Sequence, residues 1–337
     1  MIAIYRPIFK QALSITWKFK YLWFFGLFAA LFGNGGVYNW VVNNLRTVED
    51  QGVFLQALRD SGATFNLGRW AENLGSIISR FDFWGTILFA VFLLIMVFFI
   101  WLSVVSQGSL VHGIRNAMKG DEKSFATALH AGISKFWPVF LVNISIKFLV
   151  FIAALLVSLP FLVYFLNGGT NAGIYSLYII LTFVVLVPIA AVFGFILKYA
   201  VIYVMSEEVH VGLALKKAWK LFTANWIVSI EMALLLFLIN ILAGLSLVVV
   251  FILFSLPFVM LGMIAGYLAS NTFFWLVVGL GVLAFIAILF LYGALLNVWQ
   301  MSGWVILFEK ISHNQVYSKV LRWGAALSGG KKKEVVE

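Results

Sequence analysis

Between Met232 and Phe308 the chain runs for 77 residues without an aspartate, glutamate, lysine or arginine. As one continuous helix that run would be about 115 Å long, almost four times the ~30 Å hydrocarbon core of a bilayer. The segment must therefore fold back on itself in an apolar medium. Over the whole chain 63% of residues are hydrophobic and 11% are charged, against roughly 25% charged in a soluble globular domain. A water-soluble enzyme and a disordered chain are both excluded. There is no cysteine, hence no disulfide framework, thiolate metal site or cysteine nucleophile.

Other uncharged runs are Tyr21–Leu45, Phe83–Ile114 and Phe148–Leu197. The last is broken by the turn signal Asn167-Gly168-Gly169-Thr170-Asn171. The 77-residue run should break between Pro257 and Thr272, where Gly262, Gly266, Ser270 and Asn271 gather. The expectation is an all-α, polytopic transmembrane helical bundle with six spans near residues 21–41, 83–106, 138–166, 173–197, 226–256 and 273–299. Residues 1–310 form one membrane domain, with an outer loop at 42–82, and residues 311–337 form a basic tail. The short core Tyr21–Phe32 could alternatively belong to a signal peptide, but no small-x-small cleavage site follows cleanly. Within the outer loop, residues 55–60 and 70–78 could each form a short amphipathic helix.

The net charge of +10 could suggest nucleic acid, but its placement argues for topology signals. Eighteen of the 23 basic residues fall in residues 1–20, 107–137, 198–225 and the segment from 300 onward. The opposite side carries Arg46, Arg59, Arg69 and Arg80, offset by five acids. By the positive-inside rule both termini are cytoplasmic in a multi-pass plasma (inner) membrane protein.

Three of the basic segments resemble one another. Ala12-Leu13-x3-Trp17-Lys18 matches Ala214-Leu215-x3-Trp219-Lys220, and Phe125, Ala128, Leu129 and Phe136 align with Leu215, Ala218, Trp219 and Trp226. Two later spans both reach Ser-Leu-Pro-Phe, at Ser158–Phe161 and Ser255–Phe258, and Tyr203-x4-Glu208 parallels Trp304-x4-Glu309. The pattern reads as three pseudo-repeats, each a cytoplasmic interfacial amphipathic helix plus two spans. In residues 212–226 the periodicity puts Leu215, Trp219, Phe222 and Trp226 on one side and Lys216, Lys217 and Lys220 on the other. Trp17, Lys18, Lys216, Lys217, Trp219, Lys220 and Trp226 are thus candidate lipid-interface residues, and anionic headgroups the expected partner. The competing reading makes each segment the start of a long span.

Charges within spans are costly, and two fall there, Lys147 and Glu231. In the repeat alignment Lys147 lies about 9 Å deeper. The two could pair if their spans are neighbours, with Asn143 one turn before Lys147. Asn240, Asn297 and Gln300 are further polar candidates, better read as interhelical glue than as a pathway. Gly279-Leu280-Gly281-Val282-Leu283-Ala284 spells a dinucleotide fingerprint with no strand before it, so it reads as helix contact. No Walker A, HExxH or GxSxG sequence occurs, and no aspartate lies within a span. Glu207, Glu208 and His210 are too few for a metal site on sequence grounds. No catalytic residue, cofactor or metal is assigned.

The run Ala12-Leu13…Trp17-Lys18…Leu22-Trp23-Phe24-Phe25-Gly26-Leu27, together with Glu208-Val209-x4-Ala214-Leu215-Lys216-Lys217-Ala218-Trp219-Lys220-Leu221-Phe222-x2-Asn225-Trp226, resembles the membrane domain attached to some bacterial glycerophosphoryl diester phosphodiesterases. The resemblance implies a helical membrane fold in a bacterial protein. The phosphodiesterase barrel and its histidine and acidic motifs are missing, so no catalytic residue carries over. The resulting expectation is a non-enzymatic scaffold, lipid-interacting or accessory subunit, with a possible protein partner and no nucleic acid. The alternatives are a small transporter or channel using Lys147 and Glu231, and a lipid-modifying enzyme around Glu207, Glu208 and His210.

Overall fold

The computed structural model describes residues 5–32, 83–121, 124–166, 172–268 and 270–312. Among these residues the structure is all helical. In chain order the elements are α1 (Tyr5–Lys18), α2 (Leu22–Phe32), α3 (Phe83–Met118), α4 (Phe125–Ser134), α5 (Phe136–Leu166), α6 (Ala172–Glu207), α7 (Val211–Ala224), α8 (Trp226–Tyr267) and α9 (Asn271–Ser312). Five segments, Trp84–Met118, Phe136–Pro160, Ile180–Glu207, Trp226–Tyr267 and Asn271–Ser312, are long and apolar enough to cross a membrane. That is the architecture of a multi-pass membrane protein. The first expected span, residues 21–41, is described only to Phe32, where α2 is an 11-residue helix. Residues 33–41, the loop 42–82 and the tail beyond Ser312 lie outside the described residues.

Helix starts agree closely with expectation, but several helices run on. α3 continues to Met118, α6 to Glu207 and α9 to Ser312. The physical reason lies in what the extra turns touch. In α9 the outer portion faces outward at Trp275, Leu283 and Leu291, whereas Ser302–Phe308 are buried in protein. α3 changes in the same way, from Trp84–Phe99, exposed at all but Gly85, to Ser103–Val111, buried at all but Gln107. The 42 residues of α8 and of α9 each span about 63 Å, twice a hydrocarbon thickness. Pro160, Pro188 and Pro257 all sit inside helices. The break expected between Pro257 and Thr272 falls after the end of α8 at Tyr267 and before the start of α9 at Asn271, so Pro257 is absorbed into α8. Prolines are tolerated in such helices because neighbouring groups and local adjustment satisfy the freed carbonyls.

The chain divides into two compact units. The first comprises Met1–Leu31, Val105–Val139 and Phe195–Glu337 and holds most of the buried core. Its helices meet at glycines. A Cβ on Gly26 of α2 would lie 2.7 Å from the Ala294 carbonyl oxygen of α9, and one on Gly132 of α4 would lie 2.5 Å from the Val105 carbonyl oxygen of α3. Gly303 of α9 leaves room for Met232 of α8. The second unit, Phe32–Val104 with Phe140–Gly194, presents mainly outward-facing apolar side chains. Within it the Tyr178 hydroxyl donates to the Val157 carbonyl at 2.7 Å, joining α6 to α5.

A short helix leads directly into a longer one in two places, with a single residue between. Lys135 separates α4 from α5, and Asn225 separates α7 from α8. The Asn225 N–H still bonds Leu221 and Phe222 carbonyls, and its own carbonyl accepts from Ser229 N–H at 3.0 Å. Backbone bonding is therefore almost unbroken while the axis turns. Residues 19–21 separate α1 from α2 in a comparable way. α1, α4 and α7 are thus discrete helices and not the first turns of the long ones.

Candidate functional site

The short helices bury one face and expose another, and aligned positions behave alike. Ala12 and Ala214 are fully buried, as are Thr16 and Ala218 one turn later. Trp17 and Trp219, the next residues, are 56% and 52% exposed. Ala128 and Gly132 of α4 are buried at the places of Ala218 and Phe222. The correspondence continues into the following helices, where Val139, Val142 and Ile146 match Ser229, Met232 and Leu236.

This burial corrects the expected single apolar side of α7. Phe222 turns inward with Ala214 and Ala218, stacking on Phe195 at 5.7 Å, whereas Trp219 and Trp226 stay outside. Ala214 and Ala218 let α7 approach its neighbours closely, and Phe222 packs beside them. The large amphipathic rings take the outer rim, beside exposed Lys216 and Lys220. On α1, Lys18 is exposed next to Trp17. Lys217 is half-buried and pairs with Glu207.

Glu231 of α8 accepts a hydrogen bond from the Tyr5 hydroxyl of α1. Tyr5 was not singled out from the sequence. A lone tyrosine near a chain start carries no pattern that would have flagged it. Lys147 is half-buried in α5, and Asn143 is fully buried one turn earlier. Both belong to the second unit, and Glu231 belongs to the first.

The remaining polar candidates join helices. Asn297 donates to the Gly26 carbonyl at 2.6 Å, tying α9 to α2. Gln300 donates to Asn240 at 2.6 Å, tying α9 to α8. Tyr292 donates to the Ala243 carbonyl at 2.8 Å. Tyr199 and Ser229 share a buried bond of 2.8 Å between α6 and α8. Arg115 pairs with Glu309 at 2.9 Å, joining α3 to α9. These contacts link positions far apart in sequence, which periodicity alone cannot bring together.

Glu207, Glu208 and His210 do not act as one group. Glu207 engages Lys217, and Glu208 engages Lys135 at 3.3 Å. His210 is the exposed residue preceding α7. Among the described residues no cluster of three histidine, cysteine or acidic side chains could hold a metal ion. Gly281 of the fingerprint-like run packs on the Phe258 ring, with a Cβ position 3.1 Å away, and the whole run is helical. Both facts fit a helix contact.

Comparison with family models, with curated proteins and with solved structures finds no match.

Proposed function

We propose that this chain is a non-enzymatic, lipid-interacting scaffold or accessory subunit of a bacterial plasma membrane, with both termini cytoplasmic. In this reading six spans, the first over residues 21–41, are arranged as three copies of a short interfacial helix followed by two spans. Equal burial at aligned positions and one-residue joints at Lys135 and Asn225 support the copies. The resemblance to phosphodiesterase-linked membrane domains supplies the bacterial setting.

One observation carries the lipid reading. Tryptophans 17, 219 and 226 lie exposed beside lysines on helices whose opposite faces are sealed in protein. Amphipathic rings with cations around them suit the headgroup layer. Neutralising Lys216 and Lys220 to glutamine should weaken preference for anionic lipid by about 1 kcal/mol per lysine, roughly fivefold each. Native mass spectrometry of the full chain in mixed anionic and zwitterionic nanodiscs reads the retained lipid ratio. An unchanged ratio removes the lipid claim.

The transport alternative assigns Lys147 and Glu231 to a path. Tyr5 on Glu231, and the use of Asn240, Asn297 and Gln300 in helix contacts, favour packing roles for these groups.

A further inference from the structure

Lys198 sits near the end of α6, in the first unit. Its ammonium lies 4.4 Å from the centroid of the Trp304 ring. Trp304 is buried against Phe195 and Tyr199, with ring centroids 5.5 and 6.0 Å away. The described glutamates of this unit are engaged elsewhere: Glu207 by Lys217, Glu208 by Lys135, Glu231 by Tyr5 and Glu309 by Arg115. Among the described residues no carboxylate pairs with Lys198 and no hydrogen bond completes its ammonium.

An indole face attracts a cation, but an ammonium has three N–H donors and a ring face satisfies them only in part. The Trp304 indole N–H is buried and also lacks an acceptor among the described residues. Two donors, one of them cationic, therefore adjoin each other with no acceptor among the described residues. An anion with several oxygens fits that deficit, and a partly buried charge without one is costly. Lys198 as a whole residue is half-buried.

Position along α6 indicates which anion is at hand. Lys198 lies 26 residues after Ala172, about 39 Å along the helix. A helix that enters a ~30 Å hydrocarbon layer near its first turn leaves it about six residues before Lys198. The ammonium then falls at the depth of lipid phosphates.

We propose that Lys198 and Trp304 form a site for a single phosphate-bearing group, either the headgroup of one phospholipid or free phosphate. The proposal rests on the membrane placement of the lipid-interacting reading, but its readout is separate. Lys216 and Lys220 govern the ratio of surrounding lipids, whereas Lys198 governs one stoichiometric ligand.

The test uses the full chain released from phosphatidylglycerol nanodiscs and observed by native mass spectrometry. The unaltered protein should retain one tightly held phosphatidylglycerol, and Lys198→Arg should keep it. Lys198→Met, which preserves side-chain length, should lower its occupancy at least tenfold. Adding inorganic phosphate to the lipid-depleted protein distinguishes the sources: binding of phosphate alone that Lys198→Met abolishes identifies the free anion as the ligand. Should Lys198→Met fail to fold, Trp304→Phe carries the test, because it keeps a ring beneath the ammonium and removes the N–H. A folded Lys198→Met or Trp304→Phe protein with unchanged lipid and phosphate occupancy overturns the proposal.

Discussion

Glu208 holds a backbone conformation that its side chain disfavours. Its φ of +55° is the only positive value at a non-glycine among the described residues, and Gly120 at +77° comes just after α3 as Glu208 comes just after α6. A side chain in the left-handed region costs roughly 1–2 kcal/mol. The compensation is the ion pair with Lys135, but the Glu208 side chain is 74% exposed, where such pairs contribute about 0–1 kcal/mol. Glu208→Gly and Glu208→Ala both delete the pair, and only glycine relieves the backbone. The glycine variant should be the more stable of the two by about 1 kcal/mol in thermal unfolding. Equal stability would show that the conformation carries no strain. Tyr5 and Glu231 give a second case at this scale. A hydrogen bond to a charged group contributes about 1.5–3 kcal/mol, so Tyr5→Phe should destabilise by that order. Introduced on top of Glu231→Gln it should cost clearly less, and a double-mutant cycle measures the difference.

At the scale of elements, close approach decides which glycines matter. A Cβ at Gly132 would sit 2.1 Å from the Ser109 hydroxyl and 2.5 Å from the Val105 carbonyl oxygen. The hydroxyl can rotate away, but the carbonyl belongs to the α3 backbone. Gly132→Ala should therefore cost about 1–3 kcal/mol through overpacking. Gly293 of α9 has nothing within 4 Å of its Cβ position, so Gly293→Ala should be neutral or slightly stabilising. A melting-temperature comparison in one detergent separates them. The sequence shows both as glycines in apolar surroundings and cannot rank them, since the ranking depends on which helix crosses there. The same limit explains α7. Its helical period was legible in residues 212–226, but an apolar medium on one side and protein on the other both accept large apolar rings. Periodicity alone could not tell Phe222, which goes in, from Trp219, which stays out. The helix starts were legible because charged and turn residues mark them. The far ends of α3, α6 and α9 were not, because helix that enters a protein core reads much like helix that enters lipid.

For the whole molecule, the cation distribution predicts both ends of the chain on one face. The absence of cysteine makes single introduced thiols unambiguous reporters. A cysteine replacing Ser270, between α8 and α9, should react with an impermeant reagent from outside the cell. One replacing Ser312 should react only after the membrane is opened. Labelling of both from the same side would overturn the orientation. Charge-free runs predict six long apolar helices, and five stand among the described residues. The contacts that hold the first unit together could not be read that way. Tyr199 with Ser229, Arg115 with Glu309 and Asn297 with Gly26 join residues tens to hundreds of positions apart, and each partner looks unremarkable in its own segment.

The one-residue joint at Asn225 acts as a phase lock. Each residue in an α-helix advances about 100°. One added residue between α7 and α8 would therefore turn all 42 residues of α8 by that angle relative to α7. Ser229 would leave Tyr199, Glu231 would leave Tyr5 and Met232 would leave Gly303 in a single step. Length changes at this joint act on the whole helix at once, so substitutions there can be gradual but insertions cannot.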